Sequence, residues 1–438
     1  MQLTIEKLVY GGDGLARLPA DASGKGKAAF IPYVLAGEEI SATLIEQKPG
    51  FARGHLDAVI RPSAERVSPP CPHFGSCGGC HYQHATYPEQ LRIKTEILRE
   101  NLRRLARLEL EVEIQVHASQ PWNYRNRTRI ALRHEPAFEL GYRRMGSEQI
   151  LAVEKCPIVS PLLQRAMTAL WTLGRNGQVP VCLQEVELFV NADDSKLLLS
   201  LFRVVEISKL EADLESFVAR FQSDLPQLET VALFAERQYH HQGEELQDEK
   251  PGILAGRGFH TYTVSGHSYQ VSAGAFFQSN RYLIPVLAEI VTQGRKGNVV
   301  LDLYSGGGLF SLPLAAQFQS VVAVESSPAS FRDLRRNLPP NAKAVRSTAQ
   351  IYLQNAGKKL RPDLIVVDPP RAGLGVRVSR LLPELRAPRI TYVSCDPATL
   401  ARDLAVLIAG GYRVEETHLL DLFPQTYHLE TVMHLALP

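Results

Sequence analysis

The feature that most constrains the fold is a set of four apolar runs that alternate with helical patterns in the last third of the chain. The runs are NVVLDLY, VVAVESS, LIVVDPP and RITYVSCDP, and the segments PASFRDLRRNL, RVSRLLPELR and TLARDLAVLIAGG lie between or after them. Near-continuous apolar runs are typical of buried parallel strands. The alternation therefore predicts an α/β domain whose parallel sheet is covered by helices on both faces.

Polar residues that follow these strands are predicted to share one crevice. Tyr304, Glu325, Asp368 and Cys395 stand at the carboxyl ends of the four predicted strands, and open α/β sheets bind ligands at that edge. Pro397 cannot continue a strand ladder, so the chain must turn just after the thiol. A lone cysteine is often a small buried hydrophobe. At this edge, Cys395 is also a candidate nucleophile.

A glycine turn and a distant acid predict the cofactor. Gly306, Gly307 and Gly308 allow a ligand to approach the backbone closely, and Glu325, nineteen residues past Gly306, is expected to accept hydrogen bonds from ribose hydroxyls. Dinucleotide dehydrogenases and S-adenosylmethionine methyltransferases share this pattern. Ser311 interrupts the dinucleotide motif G-x-G-x-x-G, and the D-P-P-R sequence at a strand end favours the methyl donor.

Length and composition describe an ordinary multidomain protein. The chain has 438 residues, of which 45% are hydrophobic and 21% are charged, and its net charge is +2. Such a length predicts two to four domains. No apolar run approaches the roughly 18 residues needed to cross a bilayer, and the N-terminal sequence lacks a secretory h-region. We therefore expect a cytoplasmic protein without membrane association.

The first 62 residues are predicted to form a small OB-like barrel. The runs LTIEKLVY, AAFIPYVL, EISATLIEQ and GHLDAVI are strand-like and are separated by turn sequences. Such barrels often bind single-stranded nucleic acid. Seven basic residues balance seven acidic ones in this segment, so a barrel that only docks on its neighbour is an equally open interpretation.

Four cysteines are predicted to form a metal centre. Cys71, Cys77 and Cys80 have the spacing C-x5-C-x2-C on a loop rich in proline and glycine, and Cys156 precedes a proline. Four thiolates suit zinc or an iron–sulfur cluster. Loop cysteines followed by a distant Cys-Pro favour a [4Fe-4S] cluster, with zinc as the alternative. Since all four positions are filled by cysteine, a structural or RNA-facing cluster is favoured over a radical generator.

Residues 88–108 are predicted to form an amphipathic helix that packs on a neighbouring domain. Leu91, Leu98, Leu102 and Leu105 recur at helical spacing. Residues 160–265 alternate helical and strand-like stretches without a catalytic motif. They predict an α+β segment in which Cys182, His240 and His241 are structural or surface residues.

A basic strand is predicted at residues 124–133. In this strand Arg125, Arg127, Arg129 and Arg133 would project from one face, because they are separated by even numbers of residues. Arginines on one face repel each other unless acids or an anion neutralise them. The sequence around them supplies few acids, so the pattern favours contact with RNA phosphates over a solvated surface.

Seven motifs in this order resemble the RNA uracil-5-methyltransferases of the RumA/TrmA type. They are CPHFGSCGGCHYQH, WNYRNR, FFQSN, DLYSGGGLF, DPPRAGL, SCDPATLARD and FPQTYHLETV. The first sixty residues resemble the TRAM domain of that family. The resemblance spans nearly the whole chain, and the TRAM-like segment with four cysteines is closer to the ribosomal-RNA branch than to the tRNA branch.

The resemblance implies roles for individual residues. It implies a nucleophile at Cys395, a general base at Glu430 and S-adenosylmethionine contacts at Gln278, Tyr304, Glu325 and Asp368. It also implies a [4Fe-4S] cluster on Cys71, Cys77, Cys80 and Cys156. Leu309 and Thr348 depart from the residues that many members have at these positions, which affects only cofactor contacts.

The chemistry of the implied reaction fits these residue types. Attack of a thiolate on carbon 6 of uracil makes carbon 5 nucleophilic, and a carboxylate can later remove the proton from carbon 5. The base must leave its stack to react, so Phe276 and Phe277 are either stacking partners or core residues. The leading hypothesis is 5-methyluridine formation in 23S ribosomal RNA. Alternatives are the same reaction on tRNA, or a non-catalytic RNA-binding assembly factor.

The sequence thus predicts three domains. They are a TRAM-like barrel at residues 1–62, a central α+β RNA-binding domain at 63–265 that carries the cysteine loop, and a Rossmann-like methyltransferase domain at 266–438. RNA is the expected partner, and the sequence indicates no obligate protein partner.

Overall fold

The computed structural model describes residues 1–19, 26–203, 211–234, 250–355 and 359–438. These residues form a small barrel, two large sheets and a two-stranded hairpin. Among the helices of these ranges, none is both long and apolar enough to span a bilayer. His240 and His241 lie outside the described residues.

The N-terminal barrel is closed, which confirms the predicted fold class of this segment. Its strands follow the order β1-β2-β3-β5-β4, with bounds β1 Gln2–Leu8, β2 Gly14–Arg17, β3 Ala28–Ile31, β4 Glu39–Gln47 and β5 Phe51–Arg61. Alternate residues such as Leu3, Ile5 and Ile40 fill its interior. Strand β2 was not predicted, because it spans only four residues directly after a glycine-rich turn. A Cβ on Gly14 would lie 2.3 Å from Val34 Cγ2, so the packing there requires glycine.

A helix connects the barrel to the C-terminal sheet. Helix α1 spans Tyr87–Asn101, a π-helical turn covers Leu102–Ala106, and strand β6 spans Ile114–His117. The predicted helix was therefore too long, and Leu105 is 54% exposed. One side of α1 packs on Leu8 of the barrel through Ile93 and Ile97, and its end packs on the C-terminal core. The helix thus fixes the barrel against the sheet that carries the predicted catalytic strands.

The central region is an α+β layer, as predicted. Its sheet has the order β13-β12-β11-β10-β7-β8-β9 in the described residues, and two helices cover one face. The elements are β7 Arg127–Arg133, β8 Glu139–Arg143, β9 Ile150–Ala152, α2 Pro161–Arg175, β10 Leu183–Val190, β11 Leu197–Arg203, α3 Glu211–Asp224, β12 Leu228–Phe234 and β13 Gly252–Ala255. Ser160 begins α2 by accepting a hydrogen bond from the backbone of Leu163, and Pro161 occupies the first turn, where no amide donor is needed.

The prediction that the arginines of β7 lack matching acids was wrong. Arg127 pairs with Glu187 and Arg129 with Glu185, and both acids lie on the neighbouring strand β10. Arg133 pairs with Glu139 of β8. The strand also begins at Arg127, later than predicted. The cross-strand acids neutralise these arginines, so the electrostatic reason for expecting RNA at this surface is removed.

The C-terminal region confirms the predicted parallel sheet covered by helices on both faces. The hairpin β14 Phe259–Val264 and β15 His267–Ser272 precedes it. The sheet order is β18-β17-β16-β19-β20-β22-β21-β6, with bounds β16 Gly297–Leu303, β17 Phe318–Glu325, β18 Ala342–Arg346, β19 Leu364–Val367, β20 Arg389–Ser394, β21 Arg413–Leu420 and β22 Glu430–Ala436. The helices are α4 Ile284–Thr292, α5 Ser311–Leu314, α6 Pro328–Asn337, α7 Ala349–Asn355, α8 Gly375–Leu381 and α9 Pro397–Ala409. Separate apolar cores fill the two faces.

The last two strands make the sheet mixed. Strands β18, β17, β16, β19 and β20 are mutually parallel, whereas β22 pairs antiparallel with both β20 and β21. Strand β6 pairs parallel with β21, although it belongs to the segment predicted as the central domain. The predicted boundary at residue 265 falls in the turn between β14 and β15. The chain therefore crosses between the two sheets more often than a linear division of domains suggests.

Candidate active site

Cys395 and Glu430 lie at adjacent strand ends. Cys395 directly follows β20 and Glu430 opens β22. These strands are antiparallel neighbours in which Ser394 lies opposite Thr431, so the next pair along the ladder is Cys395 and Glu430. The thiol is half-buried, whereas the glutamate is only 3% exposed. The sheet therefore places a thiol and a carboxyl group side by side.

Two aspartates, the buried Asp302 and the partly buried Asp368, extend this group across the sheet. Asp368 follows β19, which lies between β16 and β20, and Asp302 lies in β16. Burial raises the pKa of Asp302 to about 7, although the Ser311 hydroxyl donates a hydrogen bond to its carboxylate. Burial also raises the pKa values of Asp368 and Glu430, and a neighbouring acid adds to the effect in each case: Asp302 for Asp368, and Asp368 for Glu430. The three acids therefore lose their protons at higher pH than ordinary carboxyl groups.

Electrostatics disfavour the thiolate of Cys395 in the free protein. Burial raises the pKa of the thiol to about 12, and the negative charges of Glu430 and Asp368 contribute further. Arg371 of the D-P-P-R motif acts in the opposite direction and lowers the pKa values of Cys395 and Glu430. Arg371 also lies 3.4 Å from His428 Nε2. A positive charge in this crevice thus favours the thiolate.

The glycine turn lies beside Glu325, as expected. The Glu325 carboxylate accepts hydrogen bonds from the backbone amides of Gly306, at 2.8 Å, and Ser327, at 2.6 Å. Gly306 has a φ of +55°, and a Cβ there would meet no atom within 4 Å. The turn is therefore open to a ligand, and each carboxylate oxygen keeps a second lone pair for a hydroxyl group. These residues fit the ribose of S-adenosylmethionine.

Tyr304 and Gln278 occupy different surroundings. Tyr304 lies between β16 and the glycine turn with a φ of +62°, and burial raises its pKa to about 12. Gln278 precedes α4 and is 8% exposed, and its backbone carbonyl accepts a hydrogen bond from Asn126 of the central region at 3.2 Å. The structure thus places Tyr304 beside the turn and Gln278 where the central region meets the C-terminal region.

The sequence did not decide the roles of four residues, and the structure places them in different surroundings. Phe277 is 5% exposed within an aromatic core, whereas Phe276 is 66% exposed. Leu309 is buried, and its carbonyl accepts a hydrogen bond from Tyr269. The hydroxyl of Thr348 accepts the amide of Ile351 and so caps the start of α7. Only Phe276 of the aromatic pair is available to a base.

The barrel contributes a side chain to the catalytic edge. The hydroxyl of Tyr10 donates a hydrogen bond to the carbonyl of Cys395 at 3.2 Å. The Tyr10 ring packs edge-on against Tyr427, with ring centroids 5.4 Å apart, and Tyr427 also contacts His428. Sequence reasoning missed Tyr10, because 385 positions separate it from Cys395. It also assigned no role to Asp302, and it used the D-P-P-R motif without giving Arg371 a role of its own. For Asp302, an acid inside an apolar strand was the available signal.

Residues 421–429 connect the catalytic edge to the cysteine loop. The Gln425 carbonyl accepts hydrogen bonds from the amides of His81 and Tyr82 at 2.8 and 2.9 Å. Its side-chain and backbone groups exchange two further hydrogen bonds with Gln90. Lys94, fully buried, binds Asp421 at 2.5 Å and the Phe423 carbonyl at 3.0 Å. We call residues 421–429 the catalytic loop, since they lead directly to Glu430.

The four predicted cysteine ligands line one cavity of about 390 Å³, which also contacts Arg125 and Tyr142. Burial raises the pKa of Cys80 to about 12 and also raises the pKa values of Cys77 and Cys156. Neighbouring cysteines raise each of these three pKa values further, whereas Arg125 lowers those of Cys77 and Cys156. Four thiol groups that line one cavity fit a metal centre with several thiolate ligands.

A family model of tRNA (uracil-5-)-methyltransferases matches residues 86–437. The chain belongs to this family. It is an S-adenosylmethionine-dependent RNA uracil-5-methyltransferase.

Relatives of this methyltransferase extend over its whole length. The 23S rRNA (uracil(1939)-C(5))-methyltransferase RlmD of Halomonas elongata is 33% identical, and the alignment covers 100% of this chain and 89% of the relative. RlmD of Pseudomonas entomophila is 32% identical, with 98% and 92% covered. The crystal structure of the Pyrococcus abyssi tRNA (uracil-54, C5)-methyltransferase with S-adenosyl-L-homocysteine has a TM-score of 0.75 and 23% identity, and both chains are covered fully. This likeness shows that the fold is shared.

Proposed function

We propose that this cytoplasmic methyltransferase forms 5-methyluridine in 23S ribosomal RNA, with Cys395 as nucleophile and Glu430 as general base. The observation that carries the proposal is the neighbouring position of these two groups at the ends of β20 and β22. A thiol and a carboxyl group in contact with one pyrimidine ring are what the chemistry of carbon 5 requires. RNA binding without catalysis requires neither group.

Two residues of the chain act in successive steps of the proposed reaction. The Cys395 thiolate bonds to carbon 6 of uracil, and the electron pair of the 5,6 double bond moves toward carbon 5 and the carbonyl oxygen. S-adenosylmethionine supplies an electrophilic methyl group and a positive charge. Once carbon 5 carries the methyl group, the Glu430 carboxylate removes its proton. The electrons of that bond restore the double bond, and the thiolate leaves carbon 6.

The surroundings of the site disfavour the ionised forms of Cys395 and Glu430 in the free protein. Burial and neighbouring acids raise the pKa values of both groups, and Arg371 offsets only part of this effect. A positive charge among these carboxyl groups lowers their pKa values and that of the Cys395 thiol. We propose Gln278, Tyr304, Glu325 and Asp368 as the residues that bind the methyl donor.

The choice of ribosomal RNA has two supports. Full-length relatives at 32–33% identity are named as 23S ribosomal RNA methyltransferases, and the chain carries an N-terminal barrel, proposed to be a TRAM domain, next to a four-cysteine site. The exposed ring of Phe276, on the segment that leads to Gln278, is proposed to stack on a displaced base. The same reaction on tRNA is the alternative, favoured by the name of the family model.

The substrate is tested by methyl transfer from labelled S-adenosylmethionine to two RNA pools that lack 5-methyluridine. One pool is 23S ribosomal RNA, and the other is a set of tRNA transcripts. We expect label only in the ribosomal RNA, at uridine carbon 5, and none with the Cys395→Ala protein, which should still bind RNA. Label confined to tRNA would mean that the substrate is tRNA and not ribosomal RNA. Binding without label in either pool would favour an assembly factor.

We further propose a [4Fe-4S] cluster on Cys71, Cys77, Cys80 and Cys156. The four cysteines line one cavity, and loop cysteines followed by a distant Cys-Pro favour a cluster over a single zinc ion. Arg125 at the cavity wall favours the net negative charge of a cluster with four thiolates. When bound, the cluster would cross-link the cysteine loop to the segment after β9, and the hydrogen bonds from His81 and Tyr82 would transmit that order to the catalytic loop.

The metal is tested by anaerobic purification. The native protein should be brown and contain about four iron atoms per chain, and Cys156→Ser should lose both colour and iron. Cys182→Ser is the matched control, because Cys182 is a buried cysteine of the central core. A colourless native protein with one zinc ion would support the alternative metal.

A further inference from the structure

A row of polar side chains crosses the three adjacent strands β20, β22 and β21. Glu416 and His418 lie on β21 two residues apart, so both side chains project from one face. His434 of β22 lies directly opposite Glu416, and Thr391 of β20 lies directly opposite His434. The register of the sheet therefore brings one carboxylate, two imidazoles and one hydroxyl group together.

The distances in this row are those of a metal-binding group. One ligand atom from each of Glu416, His418 and His434 lies within 4.8 Å of the other two. His418 Nε2 is already 3.4 Å from a carboxylate oxygen of Glu416. Ligands on a tetrahedral zinc ion with bonds of 2.0–2.1 Å are about 3.3 Å apart. A modest contraction of the group would therefore suffice to hold an ion.

Neighbouring residues orient both imidazole rings. His434 Nδ1 is 3.0 Å from the Thr391 hydroxyl, and His418 Nδ1 is 3.1 Å from His117 Nε2. If each Nδ1 donates its proton, each Nε2 keeps a lone pair for a cation. Metal-binding histidines are commonly fixed in this way by a hydrogen bond from the other ring nitrogen.

One atom in the row has an unfulfilled bonding capacity. His434 is 3% exposed, and within the described ranges its Nε2 has no hydrogen-bond partner. The backbone of Ile290 also lies beside the ring, so an ion at Nε2 would have to displace that contact. A buried polar atom without a partner is costly. A cation bound by Nε2 would satisfy it.

We infer that Glu416, His418 and His434 form a second metal site, which binds a divalent first-row transition ion of the zinc type. Two imidazoles and one carboxylate suit this class of ion and leave one coordination position for water. Glu416 is 45% exposed on its side chain, so that position faces solvent. The ion would join β21 to β22, and His434 is four residues, or about 13 Å, from Glu430. Its role is to stabilise the hairpin that holds the catalytic loop.

One neighbouring charge opposes the ion. A guanidinium nitrogen of Arg295 lies 3.9 Å from the Glu416 carboxylate. Its Nε is also buried without a hydrogen-bond partner in the described structure. Arg295 therefore competes with a cation for Glu416, and Arg295→Gln is expected to bind metal more tightly than the native chain. If these residues only stabilise the fold and bind no metal, Arg295→Gln would show no gain in metal affinity.

The test uses the full-length protein with Co²⁺ and Zn²⁺ as probes. Cobalt distinguishes the two sites, because thiolate ligands give an intense sulfur-to-cobalt charge-transfer band and nitrogen or oxygen ligands do not. We expect each chain to bind one cobalt ion in addition to any held by the cysteines. This ion should give ligand-field bands without a charge-transfer band, and zinc should displace it. A native chain whose cobalt spectrum is entirely of the thiolate type would overturn the proposal.

Substitutions of single residues test where the ion binds. Glu416→Gln, at a partly exposed position, should weaken binding by more than about 100-fold, because even the loss of a hydrogen bond to a ligand costs about 10- to 100-fold. Thr391→Val should weaken it by about 10- to 100-fold. The control is His260→Asn, since His260 is 1% exposed and both its ring nitrogens lack partners in the described residues. Native affinity in Glu416→Gln, with native thermal stability, would refute the site.

Discussion

Replacement of Lys94 by methionine should release the catalytic loop without unfolding the protein. Lys94 and Asp421 are both fully buried, and the ammonium group also binds the Phe423 carbonyl. Removal of one partner from such a pair leaves an uncompensated buried charge, at a cost of about 3–5 kcal/mol. If the loop opens locally, amide exchange there should accelerate by roughly 160- to 4,700-fold, at 1.36 kcal/mol per factor of ten.

Hydrogen exchange monitored by mass spectrometry measures this effect directly. The Gln425 amide donates to Gln90 at 2.9 Å, so it reports on the opening of the loop. The control is Lys196→Met, because Lys196 forms an exposed pair with Glu229, and exposed pairs contribute about 0–1 kcal/mol. The double variant Lys94→Met/Asp421→Leu should exchange more slowly than Lys94→Met alone. If Lys94→Met exchanges like the control, or if the double variant exchanges faster than Lys94→Met, the buried pair does not anchor the loop.

Two further predictions concern the catalytic edge. Arg371 lowers the pKa of the Cys395 thiol, which burial raises. The value of kcat/KM should therefore rise with pH. Arg371→Gln should move this rise to higher pH, whereas Arg371→Lys should leave it in place. An unchanged pH profile of kcat/KM in Arg371→Gln would argue against a role for this charge. Tyr10→Phe removes the hydrogen bond to the Cys395 carbonyl, which at 0.5–1.5 kcal/mol predicts a loss in kcat of about two- to twelvefold. A native kcat with a native melting curve would mean that the barrel packs against the catalytic edge without contributing to the reaction.

The sequence was sufficient to predict the strand ends of the C-terminal sheet. Apolar runs and the turns that follow them are local features, and they place Asp368 and Cys395 at one edge without knowledge of partners. The contact between Cys395 and Glu430 depends on antiparallel pairing of β20 with β22. The role of Glu430 came from the family resemblance, and the pairing was not predicted, because periodicity alone does not specify which strands are neighbours.

Features that depend on distant partners could not be predicted in the same way. The acids that neutralise Arg127 and Arg129 lie about sixty positions away on β10, and only the register of the sheet reveals them. Strand β6 joins the C-terminal sheet from a segment that precedes the central sheet. Helix α1 is shorter than its leucine pattern suggests, because the buried side includes Ile93 and Ile97 and leaves Leu105 in solvent.

The central claim is that the Cys395 thiolate bonds to the pyrimidine and that Glu430 completes the reaction. The most direct measurement is denaturing gel electrophoresis of Glu430→Gln protein after incubation with S-adenosylmethionine and uridine-containing substrate RNA. We predict a covalent protein–RNA species that carries the methyl group and is lost in Cys395→Ala/Glu430→Gln, since the adduct forms but its carbon 5 proton stays in place. Normal turnover without any such species in Glu430→Gln would contradict the account.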